Sequence, residues 1–213
     1  MSIKILWGVP GAGKTNYAVR KVLKTLKNGS KRHVFTNFPV HDKKLGYTKV
    51  WKPELACQLV TDSLIVVDEA YRDFNSRDYS KFQDSTHTFF ATNRHLNNDI
   101  LIIAHNPARI DKVIREITEE FILMHCHKIP FTKIVIWFSA DVFLDEVALS
   151  QRYTAKHAIY CIERYLFSKR VGRAYDTHFF RDKDLIEPEF EDWGQVLNKI
   201  DEVNEVDEED LLC

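Results

Sequence analysis

The sequence predicts an α/β fold in which a mainly parallel sheet lies between two layers of helices, and three observations predict it. Short apolar runs at 3–7, 33–37, 64–69, 100–105 and 121–127 alternate with stretches of helical periodicity, the pattern of strands buried on both faces. The first run passes directly into Gly8-Val9-Pro10-Gly11-Ala12-Gly13-Lys14-Thr15, which fits G-x-x-x-x-G-K-[ST] and is followed by a helical segment. The third run ends in Asp68-Glu69, two acids at the carboxyl end of a buried strand, where parallel sheets place their ligands.

The glycine stretch has the residue types a phosphate needs. Gly11 and Gly13, in the loop that Gly8 opens, allow backbone N–H groups to turn inward on anionic oxygens, and Lys14 brings a mobile positive charge to the terminal phosphates. The start of the following helix offers its dipole and free N–H groups, with Asn16 next to them, and the Thr15 hydroxyl is placed to ligate Mg²⁺. Val9, Pro10 and Ala12 complete the loop. Residues 15 to 27 carry Ala18, Val19, Val22, Leu23 and Leu26 on one face, and Asn28-Gly29 closes the helix. Its other face, with Arg20, Lys21, Lys24 and Lys27, reads either as a solvated surface or as a nucleic-acid contact.

His33–Asn37 forms the second strand, 40–53 a loop, and a helix around 53–60 leads into the third strand. Asp68 stands where a Walker B carboxylate holds Mg²⁺ opposite Thr15. Glu69, one residue on, is the candidate base that aims a water at the γ-phosphate. Residues 71–88 mix aromatic and basic side chains, Arg77 among them, and a helix at 83–95 ends in Arg94-His95. The fourth strand ends at His105, a candidate γ-phosphate sensor, and Asn106-Pro107 opens a helix with Ile110, Val113, Ile114 and Ile117 buried. Setting this strand between the two that carry the phosphate loop and Asp68 gives a five-stranded core with the order 5-1-4-3-2. The segment 133–138 is an antiparallel partner for the fifth strand. His125-x-His127 shares a strand face, but no third ligand lies nearby in sequence and no metal is assigned to it. Beyond 145, the pattern Ala155, Ile159, Ile162, Glu163, Leu166 suggests a helix, 169–177 an extended segment, and 195–203 an amphipathic helix.

A chain of 213 residues is one ordinary domain, read here as 1–180 with a hairpin extension, followed by an acidic segment at 181–213. No apolar run reaches the roughly 18 residues of a membrane span. The first strand starts at once, so no signal peptide is expected, and the four widely spaced cysteines read as reduced thiols. The expectation is a soluble, cytoplasmic protein. Net charge is −1, from 30 basic and 31 acidic residues; seven of the acids fall in 201–213, which leaves the body at about +6.

Further matches point to a family. The run from Gly8 to Val19, then Phe35-Thr36-Asn37, Val67-Asp68-Glu69-Ala70, Arg94-His95 ahead of Asp99–Ile103, Pro107-x-x-Ile110-Asp111 with Ile114-Arg115-Glu116, and the later Phe167-Ser168-Lys169 and Tyr175-Asp176-Thr177 resemble the zonular occludens toxin-like (Zot) family. These are assembly ATPases of filamentous phages, P-loop NTPases related to FtsK/HerA-type motors. The resemblance covers roughly residues 3–178. It implies a three-layer, RecA/ASCE-like ATPase using ATP and Mg²⁺, with Lys14, Thr15, Asp68 and Glu69 at the nucleotide and His105 where many relatives carry Gln. It also implies an oligomeric ring with an arginine finger, for which Arg94, Arg77 and Arg115 are candidates. The implied partners are viral DNA and capsid or membrane proteins of a virion. Family members usually carry a membrane span after the ATPase domain, and this chain has none, which favours a soluble motor in the host cytoplasm or one held peripherally at the membrane. A nucleic-acid ATPase of another kind and a non-motor nucleotide switch are the alternatives.

Overall fold

The structure, a computed structural model, describes residues 2–28, 33–52, 55, 60–70, 84–132, 134–144, 159–176 and 192–198. Its strands are β1 (Ser2–Trp7), β2 (His33–Thr36), β3 (His41–Asp42), β4 (Gly46–Tyr47), β5 (Lys49–Val50), β6 (Ser63–Val67), β7 (Asp99–Ile103), β8 (Glu120–Lys128), β9 (Val135–Phe143) and β10 (Cys161–Leu166). Helices are α1 (Lys14–Lys27), α2 (Asp84–Ala91), α3 (Asn93–Leu96), α4 (Lys112–Glu116), α5 (Lys169–Gly172) and α6 (193–198).

Eight strands form one sheet in the order β10-β9-β8-β1-β7-β6-β2-β5, and β3 pairs with β4 beside it. The parallel run β8-β1-β7-β6-β2 is the expected order 5-1-4-3-2. It is wider than expected: β5 joins β2 in parallel at one edge, and β9 and β10 extend the other edge antiparallel. All five residues of β6, Ser63–Val67, are buried, as its continuous apolar run requires.

Two cores line the two faces of the sheet. On one, α1 packs Tyr17, Ala18, Val19, Val22 and Leu23 against Leu6, Val66, Ile103 and Met124. On the other, Phe89, Phe90, Ile110 and Ile114 cover Ile5, Ile65, Ile100 and Phe121. Each fully buried aliphatic or aromatic side chain in these layers contributes about 1.5–3 kcal/mol.

Several local expectations are corrected. The apolar spacing at 155–166 is not a helix over its described part: Cys161–Leu166 is strand β10, because Glu163 and Tyr165 face α1 while Ile162, Arg164 and Leu166 point the other way. Residues 169–172 form a short helix rather than an extended segment, and its Val171 is buried against the α1 side of the sheet. The single helix expected after Asn106 is split into a 3-10 turn at Pro107–Arg109 and α4, since Asp111 caps a second start by accepting from Val113 N. Helical structure in the acidic segment is described at 193–198, and it buries Trp193 as well as Val196. Of the helix expected around 53–60, Leu55 is described and helical, and the rest up to 59, like the mixed segment at 71–83 with Arg77, lies outside the described residues.

Candidate nucleotide-binding site

The phosphate loop joins β1 to α1 at the carboxyl end of the parallel strands, and its backbone takes the form that glycine permits. Gly8, Gly11 and Gly13 have φ of 142°, 76° and 90°, a region closed to most side chains. Space adds a second constraint at two of them. A Cβ on Gly8 would lie 2.9 Å from the Met124 carbonyl oxygen, and one on Gly13 would lie 2.4 Å from the Phe138 ring. Gly13 caps α1 without a side chain, and the first turn of the helix holds no acid, so no protein carboxylate competes for the positive helix end.

Lys14 folds back over the loop. Its Nζ donates to the carbonyls of Gly8 at 3.0 Å and Val9 at 3.2 Å, and burial pushes its pKa down against the opposing pull of Asp68. Thr15 Oγ1 donates to Asp68 Oδ2 at 2.7 Å, so the hydroxyl and the carboxylate expected to share a metal are in direct contact. β6 ends at Val67, which leaves Asp68 and Glu69 on the turn just past the strand. Burial raises the Asp68 carboxyl above the usual range; the hydrogen bonds from Thr15 and from Glu69 N, at 2.8 Å, pull it partly back. Glu69 sits at φ 49°, a left-handed conformation uncommon for this residue type.

Asn37 holds Asp68 in place. Its side chain donates from Nδ2 to the Asp68 carbonyl at 2.8 Å and accepts from Asp68 N at 2.7 Å. This two-bond clamp ties the turn after β2 to the turn after β6. One residue earlier, the Thr36 carbonyl accepts from Trp51 N at 2.8 Å and from the Trp193 indole at 3.0 Å. On the α1 side, Tyr175 hydrogen-bonds the buried Asn16. The segment carrying Tyr175 is anchored by the bond from His41 N to the Ala174 carbonyl, 2.8 Å, and by Arg170 Nε to Asp42 Oδ2, 2.7 Å.

The remaining predicted residues are placed as follows. His105 follows β7 by two residues and is exposed. Arg94 lies in α3, just before β7 and at the opposite end of the sheet from the phosphate loop, 3.8 Å from Glu119. Arg115 Nε donates to the Ile110 carbonyl within its own helical segment. On the basic face of α1, Arg20 lies over the Tyr165 ring at 4.9 Å and Lys21 lies 3.8 Å from Glu163, so β10 engages part of that face. His125 and His127 do share a face, but they pair with Asp141 at 3.1 Å and Ser139 at 2.9 Å. Among the described residues no three His, Cys, Asp or Glu side chains are grouped to hold a metal, and no helix is long and apolar enough to cross a membrane. Asn37, Phe138 and Trp193 were not singled out as site residues from the sequence. Asn37 carried a signal, as a polar residue ending a strand in the family-like Phe-Thr-Asn; the other two touch the site only through tertiary packing.

A family model described as zonular occludens toxin (Zot) matches residues 40–141, a span that includes Asp68, Glu69 and His105 and begins after the phosphate loop. Over this stretch, just under half of its length, the chain is similar to the Zot family. The crystal structure of the N-terminal domain of zonular occludens toxin from Neisseria meningitidis is 20% identical, with 82% of this chain and 98% of that one covered at a TM-score of 0.58; this likeness establishes the shared fold. The genome packaging NTPase B204 from Sulfolobus turreted icosahedral virus 2, solved with ATP-gammaS, is more distant at 12% identity and a TM-score of 0.48, covering 77% of this chain and 96% of that one. No curated protein matches the sequence.

Proposed function

We propose that this Zot-like chain is an ATP-hydrolysing motor of viral morphogenesis, acting in virion assembly or genome translocation as a homo-oligomeric ring. The observation that carries the reading is the 2.7 Å contact between Thr15 and Asp68, which puts a hydroxyl and a carboxylate of the two nucleotide motifs at one point beside Lys14. This donor set fits Mg²⁺ held by Thr15 and, directly or through water, by Asp68. The bound ion would neutralise charge across the β- and γ-phosphates.

The protein's own groups do the rest. The N–H groups of Gly11 and of Gly13 to Asn16 cradle the phosphates, and Lys14 exchanges the carbonyls of Gly8 and Val9 for phosphate oxygens. Glu69 orients the attacking water, and His105 reports the γ-phosphate from the tip of the strand between β1 and β6. In a ring, a neighbour's arginine would stabilise the transferring phosphoryl group, with Arg94, Arg115 and Arg77 as candidates. Viral DNA and capsid or membrane proteins of the virion are the partners such a motor would work on. Glu69 favours hydrolysis over a long-lived switch, since a base at this position shortens the bound state.

Steady-state turnover with and without single- and double-stranded DNA tests the reading. The expected result is Mg²⁺-dependent ATP hydrolysis stimulated by one of the polymers. Glu69→Gln should retain nucleotide and lose turnover by about 10²-fold or more, and Lys14→Ala should lose binding. Normal hydrolysis by Glu69→Gln, or slow turnover indifferent to DNA, would overturn the catalytic assignment or the motor respectively.

A further inference from the structure

The hairpin joining β8 to β9 is built for something outside the molecule. β8 pairs with β1 only as far as Leu123; from Met124 to Lys128 its partner is β9. Because Met124 abuts Gly8, the hairpin rises past the phosphate loop, by about 20 Å at roughly 3.3 Å per residue. Its tip is tightly made. Ile129 N donates to the Ile134 carbonyl at 3.0 Å, Thr132 N to the Ile129 carbonyl at 3.1 Å, and Thr132 Oγ1 both donates to Ile129 and accepts from Ile134 N.

What this turn presents is apolar. Phe131 is held at φ 63° and is fully exposed at 109%. A left-handed backbone is unfavourable for a phenylalanine, and no packing of its ring within the described chain offsets the cost. Ile129, Ile134 and Ile136 are exposed as well. The hairpin sequence is basic: between Glu120 and Asp141 it has no carboxylate, and it has Lys128 and Lys133.

We propose that the tip at Ile129–Thr132, together with Ile134, inserts into the interfacial region of an anionic lipid bilayer. Isoleucine and phenylalanine side chains gain by entering the acyl boundary, and flanking lysines gain at acidic headgroups. Nucleic acid suits the patch less well. Phe131 is the one ring the tip offers a base, its isoleucine neighbours offer none, and the nearby Trp137 already stacks on His127 at 3.6 Å. A symmetric contact with a second copy would set lysine against lysine. The same hairpin reaches the phosphate loop, since Phe138 on β9 fills the space beside Gly13, so a surface held at the tip is one strand away from that loop. The proposal does not depend on the motor reading.

The test is flotation of the full chain with phosphatidylcholine vesicles, with and without phosphatidylglycerol. Binding is expected only to the anionic vesicles, weakening as salt rises. Phe131→Asp should lower it about tenfold or more while leaving the melting temperature and nucleotide binding unchanged, as suits a fully exposed position. Phe131→Trp should give an emission blue shift on binding and quenching by brominated lipid. Three results would each overturn the proposal: no flotation with anionic vesicles, flotation unaffected by Phe131→Asp, or a Phe131→Asp defect seen only in single-stranded DNA binding or in self-association by sedimentation.

Discussion

Replacing Asn37 with alanine tests how the acid of the second nucleotide motif is held. The side chain is buried, 6% exposed, and forms both of its short bonds to the backbone of Asp68. The substitution therefore removes two hydrogen bonds and leaves the Asp68 N–H and C=O in a small cavity. At about 1 kcal/mol net for each bond, plus the desolvation left on the orphaned groups, the expected destabilisation is about 2–3 kcal/mol. Urea denaturation of the ligand-free chain measures it. The functional effect is separate from the loss of stability: with the turn after β6 released, Asp68 and Thr15 no longer share a fixed position, so the Mg²⁺ concentration for half-maximal nucleotide binding should rise several-fold, while metal-free nucleotide binding changes little. Asn37→Asp keeps the acceptor for Asp68 N but loses the donor to its carbonyl and sets a second carboxylate near the first, so it should be at least as damaging to Mg²⁺ dependence. A variant less than about 0.5 kcal/mol destabilised, with unchanged Mg²⁺ dependence, would refute the clamp, because that loss is smaller than one net hydrogen bond.

Two further predictions follow from the same site. Gly13→Ala would force a methyl group into the Phe138 ring at a backbone angle of φ 90°, and overpacking together with the left-handed strain should cost about 2–4 kcal/mol and remove nucleotide binding; Phe138→Ala in the same chain should recover part of the stability, and no recovery would show that the ring is not the obstacle. The Asp68 carboxyl titrates above its unfolded value because it is buried, so its contribution to stability is present below the unfolded pKa and is lost as pH rises through the folded one. Mg²⁺ needs the ionised form and should therefore bind more weakly as pH falls toward that same raised pKa. Asp68→Asn should raise the melting temperature of the ligand-free chain at neutral pH and abolish the Mg²⁺ effect; a lower melting temperature would contradict the sign.

The parts of this structure that were legible in the sequence are those whose physics is local. Five buried strands announce themselves as apolar runs, and the order of the core sheet follows from where the acids and the glycine loop fall on them. Gly8, Gly11 and Gly13 are readable because only glycine accepts their backbone angles. The region beyond residue 145 was less legible. β10 carries Glu163, Arg164 and Tyr165 on a sheet edge where both faces are partly solvated, so its alternation is blurred and its residues mimic a helical spacing. α5 is four residues long, too short for periodicity to register. The contacts of Trp193 and Phe138 with the site join distant parts of the chain, and no pattern in the neighbouring residues encodes them.

The Trp193 indole reaches the Thr36 carbonyl across 157 positions of sequence, one residue from the Asn37 clamp. During synthesis the phosphate loop and both acids leave the ribosome long before this indole does. The turn that fixes Asp68 thus gains its last hydrogen-bonding support only when residue 193 has emerged. Order at the Thr15–Asp68 corner in this way draws on a residue 157 positions downstream of the strand it steadies.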